Sequence, residues 1–198
     1  LTNKKIKLVS KSSRSNKELL NIKNNSLFYK KLERVKRLEE LTSKWESLII
    51  KNPDLDVSAF FLSLDNEVYA EIKSEDKMPA ASSIKVPILI VLLTMVDQGK
   101  ILWNEKLMLT EETIGGGAGW MAYQKIGEKF PIFEIASEMI RVSDNTATNL
   151  LIKRLGGINI MNQKFKEIGL KNTQINNLLP DLEGTNVTST KDLSFAMA

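Results

Sequence analysis

Apolar residues recur along this chain with two periods, and the change between them falls near residue 79. Leu32, Val35, Leu38, Leu41, Trp45 and Leu48 come every three or four positions, which predicts an amphipathic helix over residues 29–51. The segments "VSAFFLSL" and "EVYAEIK" flank Asp65-Asn66, residue types that tolerate positive φ, and predict a β-hairpin. From Pro79 the period is helical. Helices are expected over Ser83 to Gln98 ended by Gly99, Ile132 to Val142, Thr146 to Leu155 ended by Gly156-Gly157, and Ile158 to Ile168 ended by Gly169. A last one begins near Thr190, where Ser189 and Asp192 resemble a capping pair. A helix and a hairpin from one layer, followed by a mostly helical lobe, make an α+β protein with no internal repeat. The longest apolar run, Val86 to Val96, is shorter than the roughly 20 residues a bilayer span needs and reads as a buried core helix.

Composition narrows the chemistry. A chain of 198 residues, 42% hydrophobic, can form one globular domain or two small lobes sharing a core. It has neither cysteine nor histidine, which removes disulfides, thiolate nucleophiles, His-containing zinc sites and every triad that uses imidazole as base. A hydrolase built from it must move protons with Lys, Glu, Asp, Tyr or water. The acidic residues show no clustered calcium-loop spacing, so no metal and no cofactor is expected.

The net charge of +4 is unevenly spread, with residues 1–37 at +10 and residues 38–198 at −6. Residues 1–27, rich in Lys, Ser and Asn, read as a basic flexible tail or linker. Such a tail can meet anionic lipid headgroups or nucleic acid, but it lacks aromatic interleaving, so a solvated linker is the preferred reading and no nucleic-acid partner is expected. The start at Leu1 leaves room for a membrane tether upstream. Residues 28–78 then form the N-terminal part of an α/β lobe, and residues 79–198 the helical lobe with the chemical motifs.

Ser-x-x-Lys occurs twice. In "SEDK" (74–77) it lies in a charged turn before Pro79 and reads as a solvated loop. In "SSIK" (82–85) it opens the apolar helix, and the i, i+3 spacing puts Ser82 and Lys85 on one face, about 5 to 6 Å apart at Cβ. Two readings stand on this motif. A desolvated Lys85 loses its proton easily and serves as general base for a Ser82 nucleophile at a helix N-terminus. Alternatively, Ser82 caps the helix and Lys85 snorkels to solvent. A second segment, "RVSDNTATNLLIKRLGG" (141–157), sets Ser143-Asp144-Asn145 at the break between two helices. These are ordinary N-cap residues, yet Ser-x-x-Lys with Ser-Asp-Asn is two-thirds of the signature of class A β-lactamases and penicillin-binding proteins.

The chain resembles that superfamily, most closely the cyanobacterial PBP-A type of penicillin-binding protein. The resemblance runs from about Leu38 to the end, through "AASSIKVP", "GGGAGW", "SDNTATNLL", "RLGG" and "LPDLEGTNVTS". It implies a β-lactamase/transpeptidase-like fold and an acyl-transfer serine hydrolase. Ser82 would be the acylated nucleophile, Lys85 its base or proton relay, Ser143 the group passing a proton to the leaving nitrogen, and Asn145 a ligand of the substrate amide. "GGGAGW" would form a loop at the site entrance, bringing Gly117 and a Trp120 wall to the substrate. As a nucleotide loop it fails, because no Gly-Lys-Ser/Thr follows.

Departures from the family pattern refine the expectation. The stretch "KNTQINNLLPDLEGTNVTST" lacks the Glu-x-x-Leu-Asn of the β-lactamase Ω-loop, and only Asp181 and Glu183 supply carboxylates there. Both read better as loop or cap residues than as activators of water, although Glu183 is the candidate for deacylation. No Lys-Thr-Gly follows "FAMA", so the C-terminal strands that carry it are expected to be missing and the chain to be weakly active or inactive by itself. Without a base for the acyl-enzyme, penicillin should trap the site. The resemblance therefore implies a D-alanyl-D-alanine peptidase, monomeric, acting on peptidoglycan outside the cytoplasmic membrane. A class A β-lactamase and a non-catalytic peptidoglycan-binding module are the alternatives.

Overall fold

The structure, a computed structural model, describes residues 35–198. The tail expected over residues 1–27 and the start of the helix expected at residue 29 lie outside the described residues. In chain order the elements are β1 (Lys36–Arg37), α1 (Glu39–Lys51), β2 (Ala59–Ser63), β3 (Val68–Ile72), β4 (Met78–Pro79), α2 (Lys85–Asp97), β5 (Lys106–Met108), β6 (Lys129–Pro131), α3 (Ile132–Arg141), α4 (Asn145–Arg154), α5 (Gly157–Glu167), β7 (Val187–Thr188) and α6 (Thr190–Met197). One short 3-10 turn, Ala81–Ile84, runs straight into α2.

The first layer is a three-stranded sheet ordered β1-β3-β2. The hairpin is antiparallel with Ala59 opposite Ile72 and Ser63 opposite Val68. Asp65 and Asn66 lie in its turn as the sequence suggests, but the left-handed residue there is Glu67, at φ 50°. Helix α1 begins later than its apolar period announces, because Lys36 and Arg37 are drawn into a parallel pairing with Val68 and Tyr69. The backbone N–H of Leu38 donates to Tyr69 O at 2.7 Å, and Glu39 and Glu40 then open the helix, where negative charge suits its positive end. Only part of the apolar stripe is used, since Leu48 stays 59% exposed.

The helical lobe is built round α2. It is apolar on nearly every side, as a helix surrounded by others must be, and it packs against α3, α4, α5 and α6. Ile84, Ile88, Val91 and Leu92 are buried in one cluster with Ile132, Ile135 and Met139 of α3, Leu150 and Leu151 of α4, and Met161 and Phe165 of α5. Pro87 sits in the first turn of α2, where a missing N–H costs little. The last helix, α6, returns to the sheet, with Phe195 edge-on to Phe60 at 5.6 Å. Ser189 caps it through the Asp192 N–H, as expected.

Two short antiparallel ladders flank the helices, β5 with β6 and β4 with β7. Two or three residues a side are too few to show a period, so the sequence does not announce them. The turn containing Ser74 differs from the solvated loop expected. Ser74 is buried, its Oγ donates to Glu71 Oε2 at 2.5 Å, and its carbonyl accepts the Lys191 N–H at 3.0 Å, while Glu75, Asp76 and Lys77 stay exposed. The start of α6 covers that turn, a contact no local pattern could signal. No helix among the described residues is long and apolar enough to cross a membrane.

Candidate active site

The 3-10 turn delivers Ser82 to the surface one turn before Lys85, which begins α2 with its side chain buried. Ala81, just before Ser82, has a positive φ of 44°. Such a conformation is disfavoured for a residue with a Cβ and persists only where the surroundings over-determine it. Here the surroundings are the β4–β7 ladder and the Ala80 N–H, which donates to Asn186 O at 2.7 Å. The other half of the site comes from the junction of α3 and α4, where Ser143 also has a positive φ, 59°. Asp144 is the N-cap of α4, accepting the Ala147 N–H at 2.9 Å, and Asn145 is the first helical residue.

These elements bring Ser82, Lys85, Ser143 and Asn145 together. Lys85 Nζ donates to Ser143 O at 2.7 Å, Ser143 Oγ at 2.8 Å, Asn145 Oδ1 at 2.9 Å and Ser82 Oγ at 3.2 Å. Ser143 Oγ in turn donates to Ser82 Oγ at 2.8 Å. Burial holds the Lys85 ammonium below the usual lysine range, and the Asp144 carboxylate opposes that by favouring the charged form.

The set of acceptors decides what a neutral Lys85 would do. The Ser143 carbonyl and the Asn145 amide oxygen can only accept, so they take the two N–H bonds of an uncharged amine. Its lone pair is then turned toward the two hydroxyls, which can donate. That is the orientation a base needs to take a proton from Ser82, directly or through Ser143.

The neighbouring residues are placed less uniformly. Asn145 Nδ2 donates to Gly116 O at 2.8 Å, tying the glycine loop to the site. Gly117, at φ +99°, lies so close that a Cβ there would come within 3.2 Å of Asn145 Nδ2. The Trp120 indole does not join the Ser82 group through any hydrogen bond. It donates to Glu138 Oε2 at 2.6 Å and packs edge-on against Phe130 at 5.8 Å. Asp181 is taken up by its own loop, accepting Thr185 Oγ1 at 2.8 Å and the Asn186 N–H at 2.6 Å, and Glu183 is exposed. Among the described residues there is no group of acidic side chains that could hold a metal ion.

Two residues position the site in ways the sequence does not assign to them. Asp144 accepts the Trp120 and Met121 N–H groups at 2.8 and 2.9 Å, clamping the glycine loop to the cap of α4. Asn149, one turn into α4, grips the 170–189 loop by both backbone groups of Leu179, donating to its carbonyl at 2.7 Å and accepting its N–H at 2.8 Å. No local signal marks the second, since Asn149 sits among other polar residues in "NTATNLLIKR".

Known proteins are similar to this chain over most of its length. The sequence profile described as Beta-lactamase enzyme family matches residues 40–198. The solved structure of PBP-A is 40% identical, with a TM-score of 0.80 over 83% of this chain and 62% of its own. A mutant of PBP-A solved as an acyl-enzyme complex with penicillin G gives 40% identity and a TM-score of 0.79 over 82% and 61%. Beta-lactamase BRO-1 of Moraxella catarrhalis is 27% identical over 148 residues, 71% of this chain and 44% of its own length. D-alanyl-D-alanine carboxypeptidase DacF of Bacillus subtilis is 25% identical over 147 residues, 72% and 35% respectively. The chain thus spans less than half the length of these two curated relatives.

Proposed function

The chain belongs to the beta-lactamase enzyme family, and from that premise we propose that it is a serine acyl-transfer hydrolase of the penicillin-binding type, acting on D-alanyl-D-alanine peptides of peptidoglycan. The observation that carries this reading is the buried Lys85 amine held between two obligate acceptors and two hydroxyls. Ser82 Oγ attacks the carbonyl carbon of the scissile amide as Lys85 takes its proton. The Ser82 backbone N–H, in the opening turn of the helix, donates to the oxyanion. Collapse of the tetrahedral intermediate breaks the C–N bond as Ser143 gives its proton to the leaving nitrogen and takes back from Lys85 the one that came from Ser82. What remains is an ester on Ser82, which water or an acceptor amine then cleaves. Asn145, beside Gly116 and Gly117, binds the substrate amide. The work of such an enzyme lies outside the cytoplasmic membrane, where its substrate is.

The 170–189 loop favours a peptidase over a β-lactamase. The loop backbone gripped by Asn149 presents Leu179, a buried apolar side chain, and the oxygens of Asp181 are engaged within the loop. Neither supplies a base for water attacking a penicilloyl ester. The β-lactamase reading keeps Glu183 as its only resource and takes its support from relatives such as BRO-1.

Intact-protein mass spectrometry after brief exposure to benzylpenicillin tests the proposal on the full-length protein, as the wild type and as Ser82→Ala. A long-lived adduct on the wild type alone is the expected result. Fast consumption of penicillin with no adduct would make the protein a β-lactamase. Neither adduct nor consumption would leave a non-catalytic module.

A further inference from the structure

Ser143 sits in a disfavoured conformation at the end of α3, and a closed ring of hydrogen bonds ties the two ends of the turn that carries it to the glycine loop. The ring starts at Glu138, whose carbonyl accepts the Asp144 N–H at 3.1 Å across the turn. Asp144 Oδ2 accepts the Trp120 backbone N–H at 2.8 Å. The Trp120 indole then closes the circuit by donating to Glu138 Oε2 at 2.6 Å. Gly119 completes the fit, since its positive φ of 98° and its missing Cβ are what let the chain pass against the Asp144 carboxylate.

Glu138 serves two partners. Its nearly buried carboxylate takes the Arg141 guanidinium through both oxygens, at 2.7 and 2.9 Å, and the Trp120 indole through Oε2 at 2.6 Å. The indole bond is the one that reaches out of α3 to the glycine loop. Lys85 pulls on the same turn from the other side through Ser143 O, so the turn is held between the ring and the amine.

We propose that Trp120 and Glu138 are positioning residues for Ser143. Their bond fixes the Trp120 backbone beneath Asp144, and Asp144 holds the left-handed turn that aims Ser143 Oγ at Ser82 and Lys85. The proposal rests on the acyl-transfer reading of Ser82. It assigns Trp120 to the support of the proton relay and not to the wall of the substrate cleft.

The test compares Trp120→Phe, Glu138→Ala and Glu138→Gln in the full chain, with the rate of Ser82 acylation at saturating benzylpenicillin measured separately from the half-saturating concentration. Loss of the indole bond in Trp120→Phe or Glu138→Ala is expected to slow acylation about tenfold with half-saturation unchanged. Glu138→Gln keeps an oxygen for the indole and should stay within about threefold of the wild type. The Asp144 amide should exchange its hydrogen about tenfold faster in the first two variants only. Wild-type acylation in Trp120→Phe overturns the proposal. So does a raised half-saturating concentration with an unchanged rate, which would make the indole a cleft wall, and so does a lower melting temperature in all three variants with unchanged acylation per folded molecule. If the wild type itself is not acylated, the reading of Ser82 falls, and the ring is judged by amide exchange alone, with unchanged exchange in Trp120→Phe overturning it.

Discussion

Lys85 is a cation by default whose burial favours the neutral amine. Burial lowers its pKa, and the Asp144 carboxylate works against that shift. The sign of the Asp144 effect gives a prediction. Removing the charge in Asp144→Asn takes away an attraction that favours the ammonium of Lys85, so the neutral amine is populated at lower pH. Acylation by penicillin rises with pH as Lys85 loses its proton, and the midpoint of that rise is expected to move to lower pH in the variant. The pH dependence of the acylation rate checks this, and an upward shift would mean that Asp144 does not set the charge of Lys85. The plateau rate should fall as well, because an amide cannot accept all the N–H groups that the Asp144 carboxylate accepts now. At this scale the sequence was informative about identity and silent about orientation. Ser82, Lys85, Ser143 and Asn145 are visible as motif residues, whereas the left-handed backbone of Ala81 and Ser143 falls on residue types that do not advertise it.

The elements show where local rules hold. The glycine loop separates close packing from mere composition, because adjacent glycines differ in what surrounds them. A Cβ on Gly119 would lie 2.0 Å from Asp144 Oδ2, at a φ of +98°, while one on Gly116 meets nothing within 4 Å. Gly119→Ala is therefore expected to destabilise the protein by about 2–4 kcal/mol, and Gly116→Ala to stay within about 0.5 kcal/mol of the wild type. Chemical denaturation of both variants measures the contrast, and equal losses would refute the close approach. Among regular elements, α2 to α6 and the hairpin follow from period and caps to within about two residues, the usual uncertainty of helix ends. Helix α1 is the exception, because pairing of Lys36 and Arg37 with β3 overrides an apolar period that runs through them.

Across the whole molecule, the group of Ser82, Lys85, Ser143 and Asn145 depends on segments far apart in sequence that α2, α4 and the 170–189 loop lock together. The loop buries Leu170, Ile175 and Leu179 in the core and is also held by amides and carboxylates: Asn162 on Ile175, Asn186 on Asn176 and Asn177, Asp192 on Asn172 and Thr173, and Asn149 on Leu179. Asn149→Ala leaves two buried backbone groups without their partner and is expected to cost about 1–3 kcal/mol. Faster proteolysis within residues 170–189 should accompany that loss, and unchanged stability and cleavage would show that the loop is held elsewhere. Composition excluded imidazole and thiol chemistry outright, since residues that are not in the chain cannot act. The periods and glycine stops determined most helices and the hairpin, because those signals are local. Spacing put Ser82 and Lys85 on one helical face, and the resemblance supplied the partner motif. Only the tertiary structure decided that Ser143 and Asn145 meet Lys85 across 58 and 60 residues of chain. The same holds for the Trp120 indole, which turns to Glu138, and for Ser74, which is covered by α6. Each of these depends on which surfaces pack together, and no short window of sequence contains both partners.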